Sequence, residues 1–260
     1  MKKKIFNHSY LNLKDKTKLC FFSSNQSKNK LGIIFLSGHG SDMEGTKAQA
    51  IQKLTYEKKI PFVKFDYFGH GKSDGNLEDG NISRWKSDCI NIIHEVCEGP
   101  QIIVGSSLGG WIMFLVASEL KSQIHGLIGI AAAPDFTQNL IWNKLSKSKQ
   151  KEFTKRKKIF IENPYSTEKI EYPLQLINDG KKNLILEKNI DLDIPIVLLH
   201  GMKDNEVPWE TCIKISQKLK GKDLKIILKK NSEHRFSEES EITLIQNEVL
   251  KLHSKLWNSL

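Results

Sequence analysis

From residue 31 onward, apolar runs of strand length alternate with helix-length segments. Residues 31–36 form a short apolar run that predicts a buried strand, and residues 45–58 follow as a helix-like stretch. Residues 61–67 predict the next strand, which runs into the glycine-rich turn Phe68-Gly69-His70-Gly71. Residues 82–96 have helical spacing, and Gly99-Pro100 ends that pattern. Strand 101–105, helix 108–120 and strand 124–133 come next, and helix 108–120 is apolar on most sides, as a buried helix is. Strands at 195–199 and 224–228 and an amphipathic helix at 241–257 complete the series. Strand, helix, strand in this rhythm requires crossover connections, hence an α/β fold with a mostly parallel central sheet flanked by helices. Residues 5–24 predict two antiparallel strands at one edge.

One segment breaks the rhythm. Residues 134–190 are polar and lysine-rich with no obvious strand–helix unit, and a stretch this long inside an α/β domain is more often an inserted cap than a bare loop. The expectation is one domain over residues 1–260 carrying a small helical lid insertion at 134–190, above the carboxyl ends of the strands. No repeat and no Pro/Ser-rich linker divides the chain. At 260 residues, roughly 73% of the unfolded surface can be buried, so neither disulfides nor metals are needed for a core.

Composition then narrows the classes. The net charge is +10, which invites a nucleic-acid reading, but of 40 cations only Arg84, Arg156 and Arg235 are arginine. Planar, bidentate recognition of phosphates and bases favours arginine. Lysine dominance beside 30 Ile and 17 Asn fits a compositional bias instead, so no nucleic-acid partner is expected. Eight of the cations lie within 144–158 against the single Glu152. Such a run is ordinarily a solvated face, although a basic cap could also attract an anionic substrate or lipid surface. Cys20, Cys89, Cys97 and Cys212 form no C-x-x-C pair, as expected for reduced thiols in a cytoplasmic protein. The lysine-rich N-terminus lacks the apolar stretch of a signal peptide, so it reads as unprocessed. No apolar run is long enough to span a bilayer, so no stable membrane insertion is expected. The eight histidines show no H-x-x-x-H spacing, so no metal and no cofactor is expected.

The strongest local signal is Gly105-Ser106-Ser107-Leu108-Gly109, a G-x-S-x-G pattern with an apolar strand before it and a long helix after it. A nucleophile on a sharp strand-to-helix turn holds its hydroxyl clear of the sheet, and small neighbours let the backbones approach. The helix N-terminus behind it supplies free N–H groups for an oxyanion. Ser107 is the candidate nucleophile; Ser106 is the rival hydroxyl, off the centre of the motif. A serine needs a base and an orienting carboxylate, which in this fold follow in the order Ser, Asp or Glu, His. Asp204 lies in the loop after strand 195–199, and His234 follows strand 224–228 at the same edge. Carboxyl ends of strands are where α/β sheets build their sites. The oxyanion donors are expected to be the N–H of Leu108 and the backbone of His39, with Gly40 as the alternative. His200, within a strand end, reads as packed rather than catalytic, and Asp66–Ser73 as a structural turn.

These residues resemble the α/β-hydrolase superfamily: Ser107, Asp204, His234, the Gly38 turn, and the D-x-x-G-x-G-x-S pattern from Asp66. More narrowly, Gly105-Ser106-Ser107-Leu108-Gly109-Gly110-Trp111 and Leu199-His200-Gly201-Met202-Lys203-Asp204 with Val207-Pro208-Trp209 are similar to one subgroup. That subgroup contains the mitochondrial palmitoyl-protein thioesterase also described as an acyl-glucuronide esterase. The resemblance implies an α/β-hydrolase fold with Ser107 as nucleophile, His234 as general base and then acid, and Asp204 as its orienter. It implies a small-molecule or acylated substrate carrying an ester or thioester. Two other readings stay open: a serine peptidase on short peptides, and a ligand receptor that keeps the pocket with negligible turnover.

Overall fold

The structure is a computed structural model and describes residues 8–162 and 167–259. The lysine-rich N-terminal start, and residues 5–7 of the expected edge pair, lie outside the described residues.

An eight-stranded sheet runs through the molecule in the order β1-β2-β4-β3-β5-β6-β9-β10. Its strands are β1 (Ser9–Asn12), β2 (Lys18–Ser24), β3 (Gly32–Leu36), β4 (Phe62–Phe65), β5 (Gln101–Ser106), β6 (Ile124–Ile130), β9 (Ile196–Gly201) and β10 (Leu224–Lys229). The six strands from β4 to β10 in that order pair in parallel. β1 and β2 form an antiparallel edge pair, and β2 runs antiparallel to β4. The mostly parallel sheet and its edge pair are thus as the pattern predicts.

Parallel strands buried on both faces read as continuous apolar runs, and the cores show why. In β3, Ile33 and Phe35 pack on one face while Ile34 and Leu36 pack on the other. Ile102 and Val104 of β5 join the first core, and Ile103 joins the second. Helices α1 (Thr46–Lys58) and α7 (Glu239–Trp257) cover the first core. Helices α2 (Ile82–Val96), α3 (Leu108–Glu119) and α6 (Glu210–Lys218) cover the second. α2 buries Ile82, Trp85, Cys89, Ile92 and Ile93, a single stripe at helical spacing. α3 is instead buried almost all round, including Gly109, Gly110 and Trp111, so its polar fixed point is its N-terminus.

The segment between β6 and β9 departs from a purely helical insertion. It contains short turns at 137–144, then α4 (Lys147–Arg156), α5 (Leu174–Lys182), and between these the antiparallel hairpin β7 (Lys158–Glu162) with β8 (Lys169–Pro173). The hairpin follows a period of two: Ile159 and Ile161 are half-buried, whereas Lys158, Phe160 and Glu162 are exposed. Lysine-rich composition masks that alternation in the sequence. α5 docks on the body of the protein through polar contacts. Asp179 accepts from the Ser83 N–H and hydroxyl at 2.8 Å each, and the Trp111 indole N–H donates to the Asn183 carbonyl at 3.1 Å.

Candidate active site

Ser107 sits between β5 and α3 with φ 52° and ψ −112°, a conformation costly for any residue with a Cβ. The strain is held by contacts on all sides. The Ser107 N–H donates to the Ile130 carbonyl at 2.9 Å, and its own carbonyl accepts from Gly110 and Ala133 at 2.9 and 3.0 Å. The glycines around it are steric necessities. A Cβ on Gly105 would lie 2.3 Å from the Gly109 carbonyl oxygen, and one on Gly109 would lie 2.3 Å from that of Leu36. The turn therefore closes only if β5, the start of α3 and the end of β3 meet backbone to backbone. Ser106, the rival hydroxyl, is buried within β5.

The loops after β9 and β10 are locked to each other. A Cβ on Gly201 would meet the Ser232 carbonyl at 2.2 Å, and the Lys203 N–H donates to that same carbonyl at 2.9 Å. This contact brings Asp204 and His234 together across 30 residues. His234 Nδ1 donates to Asp204 Oδ2 at 2.7 Å, and His234 Nε2 faces Ser107 Oγ at 3.0 Å. The other carboxylate oxygen, Oδ1, accepts the N–H groups of Glu206 and Val207 at 2.9 and 2.8 Å. Burial opposes ionisation of Asp204, but donation from His200 and His234 outweighs it and holds the acid well below the usual carboxylate range. All three residues predicted to act together are thus hydrogen-bonded in series.

His200, expected to be merely packed, is buried but also chemically engaged. Its Nε2–H points at Asp204 Oδ2 at 3.0 Å and at the Val207 carbonyl at 2.9 Å, while Nδ1 lies 3.3 Å from Cys212 Sγ. Burial disfavours its charged form, yet the partnership with Asp204 and Cys212 prevails and raises its pKa to about 9.

On the opposite side, the loop after β3 approaches the nucleophile. A Cβ on Gly38 would sit 3.4 Å from the Ser107 Cβ, so this turn lies against Ser107. The two candidates there, His39 and Gly40, are distinguished by their partners. The Gly40 N–H is committed to His70 Nε2 at 3.1 Å, while His70 Nδ1–H donates to the Phe68 carbonyl at 3.1 Å. The His39 ring stacks on Tyr172 of β8 at 5.4 Å and meets Trp85 edge-on at 5.6 Å. Leu108 heads α3, where backbone N–H groups have no partner within the helix.

His70, expected within a structural turn, also braces the loop that approaches Ser107. The turn that carries it is built around Asp66, which accepts from the Met43 and Lys72 N–H groups at 2.7 and 2.8 Å. A Cβ on Gly71 would strike the Asp66 carboxylate at 2.2 Å, so Gly71 of the D-x-x-G-x-G pattern closes the turn around that acid, while one on Gly69 would strike the Asn76 carbonyl oxygen at 2.5 Å. The signal was the histidine inside the pattern; the glycine-rich loop it supports lies 30 residues earlier, after β3. Among the described residues, no cluster of His, Cys, Asp or Glu is placed to hold a metal ion. No helix among them is long and apolar enough to cross a membrane.

A parallel sheet with a strained serine elbow at a strand's carboxyl end, faced by a histidine and a buried aspartate, defines an α/β hydrolase. The chain belongs to this family: residues 27–173, more than half of it, match the hydrolase family described as serine aminopeptidase S33. Among its relatives are proteins described as palmitoyl-protein thioesterase and as putative esterase/lipase. Mitochondrial palmitoyl-protein thioesterase ABHD10 of Bos taurus is 39% identical over 229 residues, covering 86% of this chain and 74% of its own. The Homo sapiens protein of that description is 38% identical over 227 residues, with the same two shares of 86% and 74%. The solved structure of alpha/beta hydrolase domain-containing protein 10 from mouse superposes with a TM-score of 0.89 at 33% identity, covering 96% of this chain and 99% of that one. These relatives are mitochondrial, which overturns the cytoplasmic expectation. Free thiols mark only a reducing environment, and that is not unique to the cytoplasm.

Proposed function

We propose that this hydrolase cleaves acyl thioesters and carboxylic esters through an acyl-enzyme on Ser107. The observation that carries the reading is the continuous series from Asp204 through His234 to Ser107, at 2.7 and 3.0 Å. His234 takes the Ser107 proton as Oγ attacks the acyl carbonyl, and Asp204 holds the imidazole tautomer that leaves Nε2 free to accept it. The N–H groups of Leu108 and His39 stabilise the oxyanion; the commitment of Gly40 to His70 favours His39 in that role. The protonated His234 then gives its proton to the departing thiol or alcohol. Water attacks the acyl-enzyme with His234 again as base, and free acid leaves. The segment 134–190 serves as the lid over this site, with Tyr172 and Phe136 beside the oxyanion loop through His39. Similarity to the palmitoyl-protein thioesterases supports a long acyl chain as the substrate class.

Ser107→Ala should remove turnover of p-nitrophenyl esters and acyl thioesters by several orders of magnitude and abolish labelling by a fluorophosphonate. Normal turnover in that variant would overturn the reading. The peptidase reading draws on the family description, serine aminopeptidase. Release of amine from aminoacyl amides faster than thiol from acyl thioesters would favour it, and no turnover on either would favour a receptor.

A further inference from the structure

Asp204 Oδ2 accepts two imidazoles, not one. His234 Nδ1 approaches it at 2.7 Å from the loop after β10, and His200 Nε2 at 3.0 Å from the end of β9. We propose that His200 is a positioning residue for the hydrolytic site: its Nε2–H fixes the Asp204 carboxylate and competes with His234 for the same oxygen. Cys212 of α6 in turn fixes the His200 ring from its far side. The inference rests on the proposed role of Ser107, Asp204 and His234.

Three features carry it. First, His200 and the Asp204 side chain are fully buried, so solvent does not substitute for a missing donor. Second, the ring is held at both nitrogens. A neutral His200 accepts the Cys212 S–H at Nδ1, which leaves the proton on Nε2, facing Asp204; a charged ring still presents Nε2–H to Asp204. In both states the carboxylate receives a donor. Third, the groups around His200 allow little else. It faces Asp204 and the Val207 carbonyl from the following loop and Cys212 from α6, and β10 sets Leu228 beside it in register. Asp204 faces His234 in addition.

The direction of the effect follows. A donor to Oδ2 withdraws negative charge from the oxygen that stabilises the imidazolium of His234. Without it, that imidazolium gains stability and the acid limb of kcat/KM moves to higher pH. The carboxylate also loses an anchor, so kcat falls.

The test compares His200→Leu, which has no donor, with His200→Gln, which can present one, and Cys212→Ala, which frees the ring. Each is assayed for kcat, KM and the pH dependence of kcat/KM on a p-nitrophenyl ester, beside wild type and Ser107→Ala. His200→Leu should lose roughly tenfold in kcat, equivalent to about 1.4 kcal/mol, with KM little changed. Its acid limb should rise by about half a pH unit or more. His200→Gln should return the limb toward wild type, and Cys212→Ala should shift it in the same direction by less. An unmoved acid limb in both His200→Leu and Cys212→Ala would overturn the proposal and leave His200 a packing residue. If His200→Leu does not fold, the Cys212→Ala profile decides alone. Turnover by Ser107→Ala would sink the proposed function instead, whatever the His200 variants do.

Discussion

Asp135 closes the insertion at its base, and removing its carboxylate should loosen the whole segment. The residue is 1% exposed, stands at φ 59° in the loop five residues beyond the end of β6, and accepts the Ile185 and Leu186 N–H groups at 2.9 Å each. One carboxylate thus ties the start of the insertion to its end, 50 residues later. Burial raises its pKa, with the two backbone donors acting against that shift, so part of the bonding gain already offsets desolvation. Three substitutions separate the contributions. Asp135→Asn keeps one acceptor and tolerates the left-handed backbone, so about 1–2 kcal/mol should be lost. Asp135→Gly leaves the buried Ile185 and half-buried Leu186 N–H groups without this acceptor and without strain, at about 2–4 kcal/mol. Asp135→Ala adds the strain of a Cβ at positive φ, about 1 kcal/mol more. Urea unfolding gives the ranking, and hydrogen exchange at the Ile185 and Leu186 amides shows whether the loss is local. Asp135→Ala within about 1 kcal/mol of wild type, with both amides still protected, would refute the reasoning. So would Gly proving worse than Ala, since that order would deny the backbone strain.

Gly109→Ala should cost about 1–3 kcal/mol, because its Cβ meets β3 backbone atoms that cannot rotate away. Its fluorophosphonate labelling should slow further than the melting temperature implies, since β3 leads into the proposed oxyanion loop; a wild-type labelling rate would refute this. Acid should also destabilise the fold through His39 and His70. Burial lowers both, His39 with help from His70 and to about 3, so the unfolded chain takes up protons first. Their contribution is present above the ordinary value of 6.5 and is lost as pH falls through the folded values, for His39 between about 6.5 and 3. Melting temperatures from pH 7.5 to 4 should decline less steeply in His39→Gln and His70→Gln than in wild type; parallel curves would sink that account.

What the sequence disclosed and what it hid divide by physical range. Ser107 was legible because its turn is local, and its glycines are required by contacts within one strand–turn–helix unit. Asp204 and His234 were legible because parallel strands deliver their following loops to one edge, so order along the chain becomes proximity in space. His200 escaped because its position inside an apolar strand looks the same whether its ring is merely packed or hydrogen-bonded. Only α6, which brings Cys212 to one nitrogen, and the Asp204 loop, which returns to the other, separate the two cases. His70 escaped likewise, since its partner Gly40 lies 30 residues earlier on another strand's loop. The β7–β8 hairpin was hidden by lysines at positions where alternation alone had to speak.

The lysines themselves are better placed for solubility than for recognition by contact. α4 buries only Phe153, and its cations face solvent, with Arg156 already paired to Glu152 at 2.9 Å. The side of the His39 loop that faces the 134–190 segment is instead aromatic: Tyr172 and Phe136 meet the His39 ring at 5.4 and 6.2 Å, and Trp85 closes it from the body of the protein. A charge on α4 would therefore reach a substrate through solvent, where screening at physiological salt removes most of its effect beyond about 8 Å. An apolar acyl chain gains from the aromatic side directly. The +10 of the chain then belongs to its surface, and the proposed selection among acyl chains to the rings around His39. Adding salt should leave the ranking of acyl chain lengths unchanged, whereas Tyr172→Ala should alter it.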